Sequence, residues 1–495
     1  MSYDSLRYLL DDHPRTLFPL STTRIVLLHA AVEIREHISK ILKSDPKYGP
    51  SFQPQRRCYS AKQGLHLRRT VSLDPVALAF IYDLIYRYRT TYTKNHSDSR
   101  LSFGYRFQKG EPVVSTSSYS EFRTQVRAAE KEYAYYIQFD VATYFNSLYH
   151  HDLIEWFAES SKRREHQEEF GRFLREINSG RSVDCLPQGL HPCKVVGSEF
   201  LRFVDDSLAL KCSRLLRFMD DFYIFDNSLS VVDSDFITIQ QLLGDKGLSL
   251  NAAKTRRGSK DSEALPHSLD DIKVQLLRIR RDLIEDEYGE VHEVEADEDD
   301  YSEPLTEEQT EYLLELVKNP HIDESDAELV LTVLRDRSDD ILNYMSRFLV
   351  QYPGLSRSVY GFCRHVTDMT GLADLLLDTI EPGETLTEDQ LFWTGKIAEE
   401  YLSGTAHYKD LLWRLYSHPS ATELSRAKVL EVPDTRFGLP DLREPHLRSG
   451  SSGWLEWASA VGTLAQPKGK RNQLLKYFAK GSDVNRLVSI AVQNA

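Results

Sequence analysis

The sequence predicts an α+β protein: an antiparallel sheet with helices, followed by an all-α, solenoid-like C-terminal domain. Three observations point to it. Residues 135–140 and 214–225 are short aromatic-rich runs ended or interrupted by Asp, the pattern of a strand and of a tight hairpin. Helical periodicity accompanies them at 22–43 and in the apolar stretch from 238. From Leu305 onward only amphipathic segments of about 10 to 18 residues remain, parted at Asn319-Pro320, Pro353-Gly354, Pro382-Gly383 and His418-Pro419.

The expected organisation is an N-terminal helical segment (1–50), a sheet-bearing region (51–263), a helix and acidic linker (264–304) and the helical C-terminal domain (305–495). A chain of 495 residues can bury a large core. Its five cysteines lack C-x-x-C spacing, which argues against a zinc site or a disulfide framework. The N-terminus carries no leader pattern and no apolar run approaches membrane-spanning length. Cytoplasmic residence, with no membrane partner, is the expectation.

The net charge of −14 conceals an asymmetry. Residues 1–283 hold 41 Lys and Arg against 36 Asp and Glu, so the remainder carries −19. Residues 51–109 alone hold eleven basic and three acidic side chains, interleaved with Tyr and Phe. Such a cluster suits nucleic acid or triphosphate, since Lys and Arg neutralise phosphate and rings stack on bases; a solvated basic face is the plainer reading. Residues 285–303 hold eleven acids and no Lys or Arg, which repels phosphate and reads as a solvated linker.

The chemistry-bearing residues lie between these extremes. Asp220 and Asp221 sit at a hairpin tip, where like charges repel unless a divalent cation shares them. An isolated Asp-Asp turn is ordinarily just a turn. Here Asp140, at the end of the run Tyr135-Tyr136-Ile137-Gln138-Phe139, supplies a third acid, the minimum set for phosphoryl transfer with two metal ions. Leu186-Pro187-Gln188-Gly189 is a turn by local chemistry. Phe203-Val204-Asp205-Asp206 also pairs two acids after apolar residues, but its flanks continue a helical period, so Asp205 and Asp206 are expected on a solvated helix face.

In order and spacing, Asp140 to Phe145, Leu186 to Gly189 with Ser198 beyond, and Phe218-Met219-Asp220-Asp221 resemble the A, B and C palm motifs of reverse transcriptases. Ser102-Phe103-Gly104-Tyr105-Arg106-Phe107 is similar to the fingers motif of bacterial members, and Gly247 to Thr255 to the segment that follows the catalytic hairpin in group II intron and retron enzymes. The resemblance covers about residues 56–256. It implies a right-hand polymerase fingers and palm in 51–263, two Mg²⁺ ions held by Asp140, Asp220 and Asp221 with Val141 beside them, and dNTPs as substrates. It implies that Phe145 excludes the ribose 2′-hydroxyl and that Gln188 and Gly189 lie against the new base pair and sugar. Arg106 would contact the triphosphate, with Arg68 and Arg69 as weaker candidates. Lys254 would protonate departing pyrophosphate or neutralise phosphate charge; both roles stay open. Phe218 departs from the family, which mostly has Tyr there.

A palm followed by helices, with no recognisable thumb, nuclease or RNase H region, resembles the bacterial defence-associated and abortive-infection reverse transcriptases. That group implies DNA made on an associated noncoding RNA, or without a template and sometimes primed from a protein hydroxyl, inside a homo-oligomer such as a trimer or hexamer. The sequence leaves templated and untemplated synthesis open.

Overall fold

The computed structural model describes residues 2–94, 97, 99–113, 115–181, 186–260, 285–286, 290–291, 305–434 and 439–495. Most of the acidic run and the helix expected before it therefore lie outside the described residues. Two compact units emerge. The first comprises residues 1–16, 35–57 and 70–267; the second comprises 17–34, 58–69 and 268–495.

Among the described residues eleven strands precede the C-terminal helices: β1 (Arg57–Ala61), β2 (Leu67–Val71), β3 (Arg100–Phe103), β4 (Phe107–Gln108), β5 (Glu111–Pro112), β6 (Tyr135–Asp140), β7 (Arg214–Phe218), β8 (Asp221–Asp226), β9 (Arg256–Ser259), β10 (Glu285–Asp286) and β11 (Glu290–Val291). The first unit is built on a sheet of order β3-β7-β8-β6-β9. All its pairs are antiparallel except β3 with β7, which run parallel. The predicted antiparallel sheet is thus mixed at one edge. β7 and β8 form the expected hairpin, joined by Met219 and Asp220 alone. Aromatic residues bury one another along the central pair: Phe139 stacks on Phe222 with centroids 5.2 Å apart, and Phe218 packs against Tyr119 and Phe122.

Helices cover this sheet. Ser115–Glu132 lies against β7, and Leu229–Gly244 against β6 and β8. The apolar helix Pro75–Tyr86 begins with Pro75 after an Asp74 cap that accepts from the amides of Val76 and Ala77, a strong local start signal. It packs on Tyr3–Asp12 and on His191–Phe200. The single helix expected over 22–43 is two, Ser21–His29 and Ala31–Lys43. They part at Ala30, and residues up to Ile34 cluster with the second unit.

From residue 305 the second unit is helical, as predicted, and its stacking is solenoid-like. Glu324–Val333, Ser356–Cys363, Glu388–Tyr401, Glu423–Leu430, Trp454–Gly462 and Asp483–Asn494 each pack on the next, and the last packs on Ser21–His29. Intervening helices form a second layer, Met369–Thr379 on Tyr408–Ser417 and Leu439–Arg448 on Lys468–Phe478. Side-chain caps mark many of the breaks, as at Thr306, Asp323, Asp368, Thr387 and Ser482. Among the described residues no helix is long and apolar enough to cross a membrane.

Candidate active site in the sheet-bearing unit

Strand pairing brings the three predicted acids to one end of the sheet. Asp140, the last residue of β6, stands directly opposite Asp221, the first of β8, so their side chains rise from neighbouring positions. The Val141 amide donates to the Asp220 carbonyl at 3.2 Å, tying the end of β6 to the hairpin tip. Residues 249–251 cross the same end: Ala142 donates to the Ser249 carbonyl at 2.8 Å and Asn251 to the Asp140 carbonyl at 2.9 Å. This crossing delivers Lys254, whose Nζ lies 3.1 Å from Asp140 Oδ2.

Among the nucleotide-side candidates, Phe145 and the loop bearing Gln188 and Gly189 are joined directly. Phe145 follows Asp140 through a turn at Thr143 (φ +46°) into the helix Tyr144–Ser147. Its carbonyl accepts from the Leu186 amide at 2.8 Å, which joins the first acidic segment to the Leu186–Gly189 loop. The Tyr144 hydroxyl donates to the Gly197 carbonyl at 2.7 Å. A Cβ on Gly197 would lie 3.2 Å from the Phe145 ring, so the missing side chain lets that ring lie on the helix His191–Phe200. Gly189 has φ +82°, the backbone a glycine supplies at little cost. The Gln188 amide donates to Thr70 Oγ1 at 2.9 Å, and the His191 amide to Asp12 at 3.0 Å, so both sides of the loop are pinned.

Asp140 Oδ1 is buried without a hydrogen-bond partner, an acceptor that fits a cation better than it fits solitude. No three His, Cys, Asp or Glu side chains among the described residues are gathered closely enough to chelate an ion as they stand. The Lys254 ammonium lies against the other Asp140 oxygen instead. Residues 84–301 match the family model for reverse transcriptase (RNA-dependent DNA polymerase). This part of the chain is a reverse transcriptase domain.

All three acids, Lys254, Arg106, Phe145, Gln188 and Gly189 fall inside the matched segment; Arg68 and Arg69 precede it. No curated protein matches the chain. Among solved structures, apo telomerase from Candida tropicalis is similar at 11% identity and a TM-score of 0.31, covering 87% of this chain and 73% of that one. Candida albicans telomerase, in complex with a fragment of telomeric RNA, gives 10% and 0.30, with 79% and 67% covered.

Within the reverse transcriptase domain Arg106 is buried. Its Nη1 donates to Ser118 Oγ at 2.7 Å and its Nη2 lies 3.5 Å from Glu121, so a triphosphate would compete with both. Arg68 and Arg69 belong to the other unit, where Arg68 is buried and interacts with Asp389. Burial pushes the Asp389 carboxyl up to about 7, although the Ala61 amide donates to it.

One expectation is overturned. Asp206 is exposed, but Asp205 is 2% exposed and ion-paired with Arg217, itself 1% exposed. The helical period does continue, through Arg202–Asp205, but that helix ends against the sheet instead of in solvent. Only Arg217, a cation set among the buried apolar residues Leu215, Leu216 and Phe218, could have signalled the partner. The Glu199 carboxyl, on the adjoining helix, is pushed up to about 7 by burial. The Arg202 guanidinium at 2.9 Å opposes that shift without cancelling it.

Proposed function

We propose that the chain is a Mg²⁺-dependent DNA polymerase of an antiphage defence system that copies an associated noncoding RNA into DNA. The observation that carries the catalytic part is the opposition of Asp140 and Asp221 across paired strands, with Asp220 and Lys254 tied to the same end. Two Mg²⁺ ions bound by Asp140, Asp220 and Asp221, with Val141 beside them, would activate a primer 3′-hydroxyl and offset charge on the departing pyrophosphate.

The chain's own residues do the rest. Phe145, held from behind by Gly197, walls the space beside the nucleotide sugar and favours dNTPs. Gln188 and Gly189 present a fixed backbone to the nascent pair. Lys254 Nζ reaches the leaving phosphate and donates its proton there, or holds the charge as an ammonium. Arg106 joins the triphosphate only by releasing Glu121. The defence role rests on the resemblance of the whole chain, a palm joined to a helical region, to the bacterial defence enzymes.

The experiment is to purify the protein with any bound nucleic acid, supply each labelled dNTP or NTP with Mg²⁺, and sequence the product. Asp220→Ala/Asp221→Ala is the comparison. A dNTP-dependent product matching co-purified RNA, absent in the variant, is expected. A product unrelated to bound RNA would replace templated with untemplated synthesis, and equal activity in the variant would sink the assignment.

A further inference from the structure

We infer that the buried Asp205–Arg217 pair is a positioning device that sets the hairpin turn presenting Asp220 and Asp221, and that the affinity of this site for divalent cations depends on it. The inference rests on the reading of those aspartates as metal-holding.

A buried ion pair is a poor source of stability, because desolvating two charges costs about as much as their attraction returns, and apolar replacements of similar volume are often neutral or better. Arg217 occupies a central strand whose neighbours Leu215, Leu216 and Phe218 are all buried and apolar, so Met or Leu would fit the pattern. What an apolar side chain could not do is visible in its contacts. Nε donates to the two Asp205 oxygens at 2.8 and 3.1 Å, and Nη2 donates to Oδ2. Nη1 turns the other way and donates to the Met219 carbonyl at 2.8 Å. The planar fork thus spans a helix end and the turn, a bridge that the single ammonium of lysine cannot reproduce.

That carbonyl is a sensitive place to hold. It belongs to the peptide whose nitrogen is that of Asp220, so rotating the peptide swings the Asp220 backbone. Met219 has φ +53°, a left-handed conformation that an unbranched L side chain adopts only under constraint. In a two-residue hairpin connection glycine is the usual occupant. Here Met219 is fully buried beside Gly104, where a Cβ would lie 3.4 Å from its Cγ. Packing on one side and the guanidinium on the other keep a strained turn in place. Asp205 in turn fixes the guanidinium, and Glu199 and Tyr144 lie near it.

The test compares Arg217→Lys and the apolar double variant Arg217→Met/Asp205→Leu with the wild type and with Asp220→Ala/Asp221→Ala. Mn²⁺ affinity is measured on the full chain by electron paramagnetic resonance, alongside thermal unfolding and the Mg²⁺ dependence of DNA synthesis. The double variant is expected to unfold near the wild-type temperature yet to bind Mn²⁺ about tenfold more weakly, the usual scale for groups that orient ligands. Its dNTP KM at saturating Mg²⁺ should stay unchanged, and Arg217→Lys should show the same loss of metal affinity. Should the double variant fail to fold, Arg217→Lys, which keeps the buried charge but not the bridge, decides. Wild-type Mn²⁺ affinity in either folded variant would overturn the inference and leave the pair as packing. Full activity or unchanged Mn²⁺ binding in Asp220→Ala/Asp221→Ala would instead discard the active-site reading, whatever the Arg217 variants do.

Discussion

Replacing Lys254 with Met should move metal binding and turnover in opposite directions. The ammonium lies 3.1 Å from Asp140 Oδ2, so a divalent cation and Lys254 compete for one oxygen. Two unit charges at that distance interact by about 1.3 kcal/mol in bulk water and about 5 kcal/mol at an effective dielectric of 20. The Lys254 side chain is 56% exposed, which puts the pair near the screened limit. Exposed pairs measure about 0.2–1 kcal/mol, so removing the competitor should tighten Mn²⁺ or Mg²⁺ binding by about 1.4- to fivefold. Turnover should fall by about 100-fold or more if Nζ supplies the leaving-group proton. Metal titration by electron paramagnetic resonance and single-nucleotide extension at saturating metal read the two effects separately. Weaker metal binding in Lys254→Met would refute the competition and show that the ammonium instead orients Asp140 for the ion.

Other perturbations follow from the packing. Gly197→Ala sets a methyl 3.2 Å from the Phe145 ring; helix propensity returns about 0.5–1 kcal/mol against an overpacking cost of about 1–3 kcal/mol, so the protein stays folded. Steady-state kinetics should show the dNTP KM rising several-fold from the displaced ring, and an unchanged KM and unchanged dNTP preference would remove Phe145 from the sugar wall. The Glu199 carboxyl has a folded value near 7 against an ordinary 4.5, so its contribution to stability is full below about pH 4.5 and lost as pH rises through 7. Glu199→Gln should erase a loss on the order of 3 kcal/mol between pH 4.5 and 8, read from urea midpoints; parallel curves for variant and wild type would contradict it. In the helical unit, buried Lys428 binds Glu399 and Glu431, and Glu431 also accepts from the Ser21 and Thr22 amides. Lys428→Met strands both carboxylates and should cost about 3–5 kcal/mol, partly restored by adding Glu431→Gln; a urea midpoint unchanged by Lys428→Met would show the charges to be solvated.

Much of this was readable along the chain because the signals are local. Apolar, aromatic-rich runs marked β6, β7 and β8, and Asn-Pro, Pro-Gly and His-Pro breaks marked the C-terminal helices. Asp140, Asp220 and Asp221 stood out because an Asp-Asp hairpin turn, ordinary alone, is accompanied by a third acid at the end of another apolar strand. Phe145 and Gly189 were found through the resemblance of their segments to the palm motifs of reverse transcriptases. Only tertiary structure decided what depends on pairing between distant elements. The parallel β3–β7 pair, the split of residues 22–43 between two units, the Gly197 seat beneath Phe145 and the occupied fork of Arg106 have no local signature. Asp205 shows the reason most clearly. One-dimensional periodicity places an acid on a helix face, but burial is set by what lies opposite, and a carboxylate is buried where a cation or hydrogen-bond donors meet it. The sequence names Asp205 and Arg217 twelve positions apart with nothing to join them; the sheet places Arg217 where its guanidinium meets both Asp205 and the turn of the catalytic hairpin.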